Sequence, residues 1–156
     1  MANIGVAINI TRPADTTTYA AGDVVGGVLQ LGPAGMLPAG GDAFLTTARF
    51  EIDVSAVPSG MTSFRLHLYY LTPPSALADN SAWDLPSGDR DAYRGYIDLG
   101  SPVDVGSTLY VETTQINKHL NVPANAIMFA YLVTNGSYQP TSAAVHRIRL
   151  HGVGVA

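Results

Sequence analysis

The chain has 156 residues, a formal net charge of -4, 47% hydrophobic and 13% charged side chains, and no cysteine. That length closes one hydrophobic core without covalent staples, and the missing cysteine excludes a disulfide framework and thiolate chemistry. Eight Lys and Arg scattered through an acidic chain give no grip on phosphate, and no stretch approaches the roughly 18 apolar residues of a membrane span, so neither nucleic acid nor membrane is an expected partner. The charged share lies below the usual quarter or so of a soluble domain. Either surface is hidden in an assembly, or the exterior is a sheet surface of Thr, Ser, Asn and Gly.

Residues 1–10 lack the basic start and long apolar stretch of a secretion signal and read instead as a strand. Ile4, Val6, Ile8 and Ile10 share one face, and Gly5, Ala7 and Asn9 the other. After Pro13 and a Thr-rich turn, a second strand runs from Val24 to Leu31, with Gly26 and Gly27 predicting a bulge. GPAGMLPAGG from Gly32 to Gly41 is turn punctuation and predicts a surface loop. From Ala43 to Val54 the alternation puts Phe44, Ala48, Phe50, Ile52 and Val54 on one face. PSG at Pro58 to Gly60 then predicts a hairpin to the next strand, in which Phe64, Leu66, Leu68 and Tyr70 alternate with Arg65, His67 and Tyr69.

Pro73 and Pro74 stop that strand and open a long polar excursion, in which SALAD is the one plausible helical turn. Strands are predicted again over Ala92 to Leu99, Thr108 to Thr113, Ile127 to Thr134 and Ala144 to His151, with Gln115 to Leu120 ambiguous. Eight or nine short strands without a long helix define an all-β chain, an antiparallel β-sandwich of jelly-roll kind filling residues 1–156 as a single domain. IMFAYLVT, Ile127 to Thr134, is apolar on both faces, which requires a cover on each. Either loops fold over it or a second subunit does; the subunit is the favoured cover, in a dimer or trimer, with Met128, Ala130 and Leu132 outward at its interface.

No motif carries catalysis. There is no GxSxG, P-loop or GxGxxG, so no enzyme, catalytic residue or cofactor is expected. His67, His119, His146 and His151 are too dispersed for a ligand set and read as solvated or interface histidines, although His67 and His151 could meet across strands. Asp79, Asp84, Asp89 and Asp91 lack calcium-loop spacing and read as turn formers, so no metal is expected. Tyr69, Tyr70, Trp83, Tyr93 and Tyr96 gather around the excursion. They either plug one end of the sandwich, as favoured for Trp83 and Tyr70, or present rings to a sugar or a protein, with Tyr69 and Tyr96 the candidate partner contacts.

TRPADTTTYAAGDVVGG (Thr11 to Gly27), FRLHLY (Phe64 to Tyr69), DNSAWDL (Asp79 to Leu85) and YRGYIDL (Tyr93 to Leu99) resemble segments of small virion proteins of tailed bacteriophages. The resemblance covers a minority of the chain and carries no catalytic residue. It implies a jelly-roll cement or decoration protein, made in the bacterial host cytoplasm, that sits as an oligomer on the capsid surface and binds the major capsid protein. The N-terminus, as an extended arm, and the Gly32 to Gly41 loop would reach neighbouring subunits. The alternative is a carbohydrate- or receptor-binding module of a phage tail.

Overall fold

A computed structural model describes residues 2–31 and 36–155 of the chain. Ten strands alternate with loops: β1 (Ala2–Thr11), β2 (Val24–Gln30), β3 (Asp42–Ile52), β4 (Phe64–Tyr69), β5 (Tyr93–Gly100), β6 (Val103–Asp104), β7 (Leu109–Thr113), β8 (Lys118–Asn121), β9 (Phe129–Thr134) and β10 (Val145–Val155). One sheet runs β1-β10-β3-β7-β6, with β8 also on β3, and the other runs β2-β9-β4-β5. Every pairing is antiparallel, and first meets last: β1 with β10, β2 with β9, β3 with β7, β4 with β5. That nesting is one long hairpin rolled into two sheets, the jelly-roll order, with β6 and β8 as additions.

The inner faces meet in one core. Ile4, Val6, Ile8 and Ile10 from β1, Phe50 and Ile52 from β3, and Ile148 and Leu150 from β10 pack against Phe64, Leu66 and Leu68 of β4 and Ile97 and Leu99 of β5. The period of two in each strand is what delivers these side chains to a common interior. Gly26 and Gly27 do form a bulge, since pairing with β9 jumps from Val25–Leu132 to Leu29–Ala130. Gly26 has φ of +88°, and a Cβ there would collide with Ile10 Cγ2, so the close approach of β2 to β1 requires glycine.

Several expectations are corrected. Phe44 is not inward: the β3–β10 register passes from Thr47–His151 to Leu45–Gly152, skipping Thr46, and the extra residue flips the pleat. Ala43 and Leu45 therefore enter the core, while Phe44 stays 42% exposed and lies against His119. β3 and β4 do not form a hairpin, because the Pro58 to Gly60 connection crosses from one sheet to the other. SALAD is not helical; the only helical turn among the described residues is a 3-10 turn at Ser87–Asp89.

The N-terminal arm is corrected too. Ala2 to Thr11 pairs with β10 without a register shift, because its four β-branched side chains gain more from the core than from solvent. The loop after β2 lies partly outside the described residues, but its end is anchored by Leu37, which belongs to the core.

The largest correction concerns β9. Met128, Ala130 and Leu132 are fully buried between the sheets, so they are not an outward oligomer interface. Its opposite face, Phe129, Tyr131 and Val133, is covered within the chain: Leu77, Trp83 and Leu85 of the excursion lie over it together with Tyr69 and Ala92. Both faces are apolar because the chain supplies both covers, one sheet and one folded-back loop.

Candidate functional site

The excursion between β4 and β5 is fastened to the outer face of the second sheet by specific bonds. The Leu77 N–H donates to Tyr131 Oη at 2.9 Å, the Trp83 indole N–H donates to Tyr69 Oη at 3.1 Å, and the Trp83 backbone N–H donates to the Gly22 carbonyl at 2.9 Å. Trp83 stacks on His67 with ring centroids 3.8 Å apart and planes 17° from parallel. His67 Nδ1 in turn lies 2.8 Å from the Tyr93 hydroxyl. Burial under the indole pushes the His67 pKa down to about 4, so this imidazole is neutral near pH 7.

Trp83 thus plugs a face of the sandwich rather than an end. Tyr69 is fully buried beneath it and is closed to any partner, which removes it as a contact residue. Tyr70 is half-buried under the Arg94 guanidinium, 4.7 Å from its ring centre. Tyr96 is the ring left open, 44% exposed, with the Arg65 guanidinium 4.5 Å above it. Arg65 is oriented by Asp98, at 2.9 Å on the neighbouring strand.

Beside Tyr96 lies an open cleft of about 230 Å³, lined by Tyr96, Asp98, Thr113, Gln115, Ile116 and Lys118 among others. Partial burial lowers the Lys118 pKa. Sequence reasoning missed Arg65, Asp98, Gln115 and Lys118 as neighbours of Tyr96. The alternation in FRLHLY and YRGYIDL places Arg65 and Asp98 outward, but only the β4–β5 pairing places them side by side.

A second polar assembly is buried. Arg12, its side chain fully enclosed, donates from Nε to Tyr19 Oη at 2.6 Å. The Tyr19 hydroxyl donates to Asp79 Oδ1 at 2.6 Å, and Asp79 Oδ1 also accepts the Gly26 N–H at 2.8 Å. Arg12 also donates to the Asp15 and Thr141 carbonyls and to the Asp15 carboxylate. Desolvation, reinforced by the Asp79 hydrogen bond, holds the Tyr19 phenol well above its usual pKa, so it stays a donor. The network ties the β1–β2 turn to the excursion.

The remaining titratable groups do not converge. His67 and His151 lie on different sheets and cannot meet. His146 and His67 are buried rather than solvated. His119 pairs with Asp42 at 3.1 Å at the surface. Asp79 serves the arginine network, and Asp89 is buried by the 3-10 turn, so they do not form one acidic loop. Among the described residues no three His, Asp or Glu side chains stand close enough to hold a metal.

No protein-family model matches the chain, and no curated protein does. Solved structures similar to it include the PRD1 vertex protein P5, at 11% identity and a TM-score of 0.33, covering 95% of this chain and 96% of that one. Another is an Israel acute paralysis virus pentamer, at 14% identity and a TM-score of 0.26, covering 97% and 90%. A third is a Clostridium thermocellum xylanase 10B structure containing CBM22-1 and GH10 modules with xylohexaose, at 9% identity and a TM-score of 0.30. It covers 96% of this chain but only 26% of that one. Likeness of this degree assigns no role to this chain.

Proposed function

We propose that the protein is a virion structural component that acts by covering surface, as a capsid cement or decoration protein on an assembled shell of major capsid protein. The observation that carries this reading is where the phage-like segments sit. Thr11 to Gly27 and Asp79 to Leu85 are joined through Arg12, Tyr19, Asp79 and Gly26. Phe64 to Tyr69 and Tyr93 to Leu99 pair as the adjacent strands β4 and β5. The resemblance therefore falls on two hydrogen-bonded loops and a strand pair of one sheet. Polar side chains at its centre are spent on holding the loops, and the outer surface carries Phe44, Leu71, Tyr96, Val103 and Val105 for contact.

A protein that binds only the assembled shell stabilises it relative to free subunits by mass action. Shells titrated with the protein should dissociate at higher temperature or denaturant concentration, while isolated capsid subunits should not bind. Equal binding to free subunits, or no change in shell stability, would refute the cement reading.

The tail-module alternative has one specific observation, the open Tyr96 ring beside the cleft with Asp98, Gln115 and Lys118. Aromatic faces flanked by hydrogen-bonding groups suit sugar rings. Glycan-array binding lost in Tyr96→Ala would favour that module over the cement reading. Trp83 is the weaker probe, because it is only partly exposed and packs on the outer face of β9 with its indole N–H bonded to Tyr69.

A further inference from the structure

A β-sandwich of this order leaves sheet edges, and each edge is a row of backbone donors and acceptors that native chains shield by charge, proline, bulges or a covering loop. Here the shielding is uneven. The β2 edge is covered: Val24 N–H donates to the Ser81 carbonyl, Asn80 N–H donates to the Val24 carbonyl, and Asp79 takes the Gly26 N–H, each at 2.8 Å. β5 is bulged against β4, carries Arg94 and Asp98, has Gly95 under Lys118, and receives the Thr113 hydroxyl on its Leu99 carbonyl at 3.0 Å. β6 has two residues, one of them Asp104, and β8 has four, with Lys118 and His119.

Among the described residues β1 has none of these devices. Over its ten residues there is no charge, no proline and no register shift. Hydrogen-bond phase shows which of its groups face outward. Arg12 N–H donates to the Ala144 carbonyl at 3.1 Å, so in continuous register the even-numbered residues of β1 point their N–H and C=O toward β10. Independently, Asp53 N–H donates to the Val145 carbonyl at 2.9 Å, which turns the odd-numbered residues of β10 toward β3 and leaves its even ones for β1. Asn3, Gly5, Ala7, Asn9 and Thr11 therefore direct their backbone groups away from the sheet, and all five are exposed. No hydrogen bond joins those groups to another described residue.

We infer that β1 is a docking edge for β1 of a second copy of this chain, the two strands pairing antiparallel about a two-fold axis at Ala7 and joining two sheets into one. The self-pairing follows from the side chains. In the register that uses all five outward residues, Ala7 meets Ala7 of the second copy, Gly5 meets Asn9, and Asn3 meets Thr11. No like charges face one another, a condition an isologous contact must meet. Five donors and five acceptors on each copy give about ten new backbone hydrogen bonds.

The nearest cations, Arg147 and Arg149 on β10, would stand three strand spacings from their counterparts, about 14 Å, beyond the roughly 8 Å screening length at physiological salt. An edge about 34 Å long and two layers of about 10 Å deep buries about 1,400 Å² in total when both layers meet, within the usual range for a specific interface. This contact is independent of the capsid reading and replaces the β9 interface that the core excludes.

Sedimentation and light scattering on the full chain at micromolar concentration should give twice 16.4 kDa. Ala7→Lys, which puts two ammonium groups face to face on an exposed position, should halve the mass with unchanged circular dichroism. Asn9→Lys is the second probe should that variant fail to fold. Because the chain has no cysteine, Ala7→Cys should oxidise to a covalent dimer, as facing residues at a hydrogen-bonded pair lie about 5.5 Å apart, within disulfide reach. Asn135→Cys, exposed elsewhere, should not cross-link. A monomeric parent, a dimer indifferent to both lysine variants, or equal cross-linking at residues 7 and 135 would overturn the inference and leave the β1 edge to a foreign strand or to solvent.

Discussion

Acid should weaken this fold through His146, and the effect can be sized. The imidazole is 1% exposed, lies against Phe50 with centroids 5.9 Å apart, and neither ring nitrogen has a hydrogen-bond partner among the described residues. Burial pushes its pKa from 6.5 down to about 4; nearby Ala144 backbone and Asp79 favour the charged form, and Arg12 opposes it. Above pH 6.5 the residue is neutral in both folded and unfolded chains, so its titration does not change stability there. As pH falls from 6.5 toward 4 the unfolded chain takes up a proton that the folded chain refuses, so stability is lost across that window.

At 1.36 kcal/mol per pKa unit the loss approaches about 3 kcal/mol, a large share of the roughly 5–15 kcal/mol of a typical domain. His67, with its pKa also lowered to about 4, adds to the loss in the same direction. Urea unfolding at a series of pH values between 7 and 4 measures this, with His146→Phe as control. That variant should be as stable as the parent or more so at pH 7 and should gain about 3 kcal/mol on it by pH 4. Parallel stability curves for the two proteins would refute the idea that a buried, unpartnered imidazole sets the slope.

The same packing predicts other outcomes. Asp79→Ala strands the Tyr19 hydroxyl and the Gly26 N–H and leaves Arg12 less compensated. Thermal unfolding should show a loss of about 2–4 kcal/mol, and a change under 1 kcal/mol would mean water replaces the carboxylate. Leu132→Glu should unfold the chain, because the carboxylate would enter the core between the sheets. A folded variant with altered oligomeric state would show that the β9 assignment is wrong.

Much of the fold was legible because alternation in Ile4 to Ile10, Phe64 to Leu68 and Val145 to Leu150 matches a half-buried strand, and Gly26-Gly27 announced its bulge. Phe44 misled because the extra residue at Thr46 has no sequence mark; a Thr-Thr pair continues a strand as readily as it bulges one. IMFAYLVT was read correctly as covered on both faces, yet its cover was sought outside the chain. Nothing in SALADNSAWDLP says that a proline-rich excursion folds back over the strand it leaves. Arg12 carries no mark in the sequence, and its burial becomes visible only when Tyr19 and Asp79, 60 residues apart, are brought together. Tyr96 is exposed, but its neighbours Arg65 and Asp98 were missed because cross-strand register rather than spacing brings them together.

The central claim, a surface-covering virion component, is tested most directly by gradient-purifying intact virus particles from cells that produce the chain and quantifying it by mass spectrometry against the major capsid protein. A fixed stoichiometric ratio, retained through repeated sedimentation and lost when the shell is dissociated, is the expected result. Its absence from intact particles, or its presence only in trace and variable amounts, would contradict the claim.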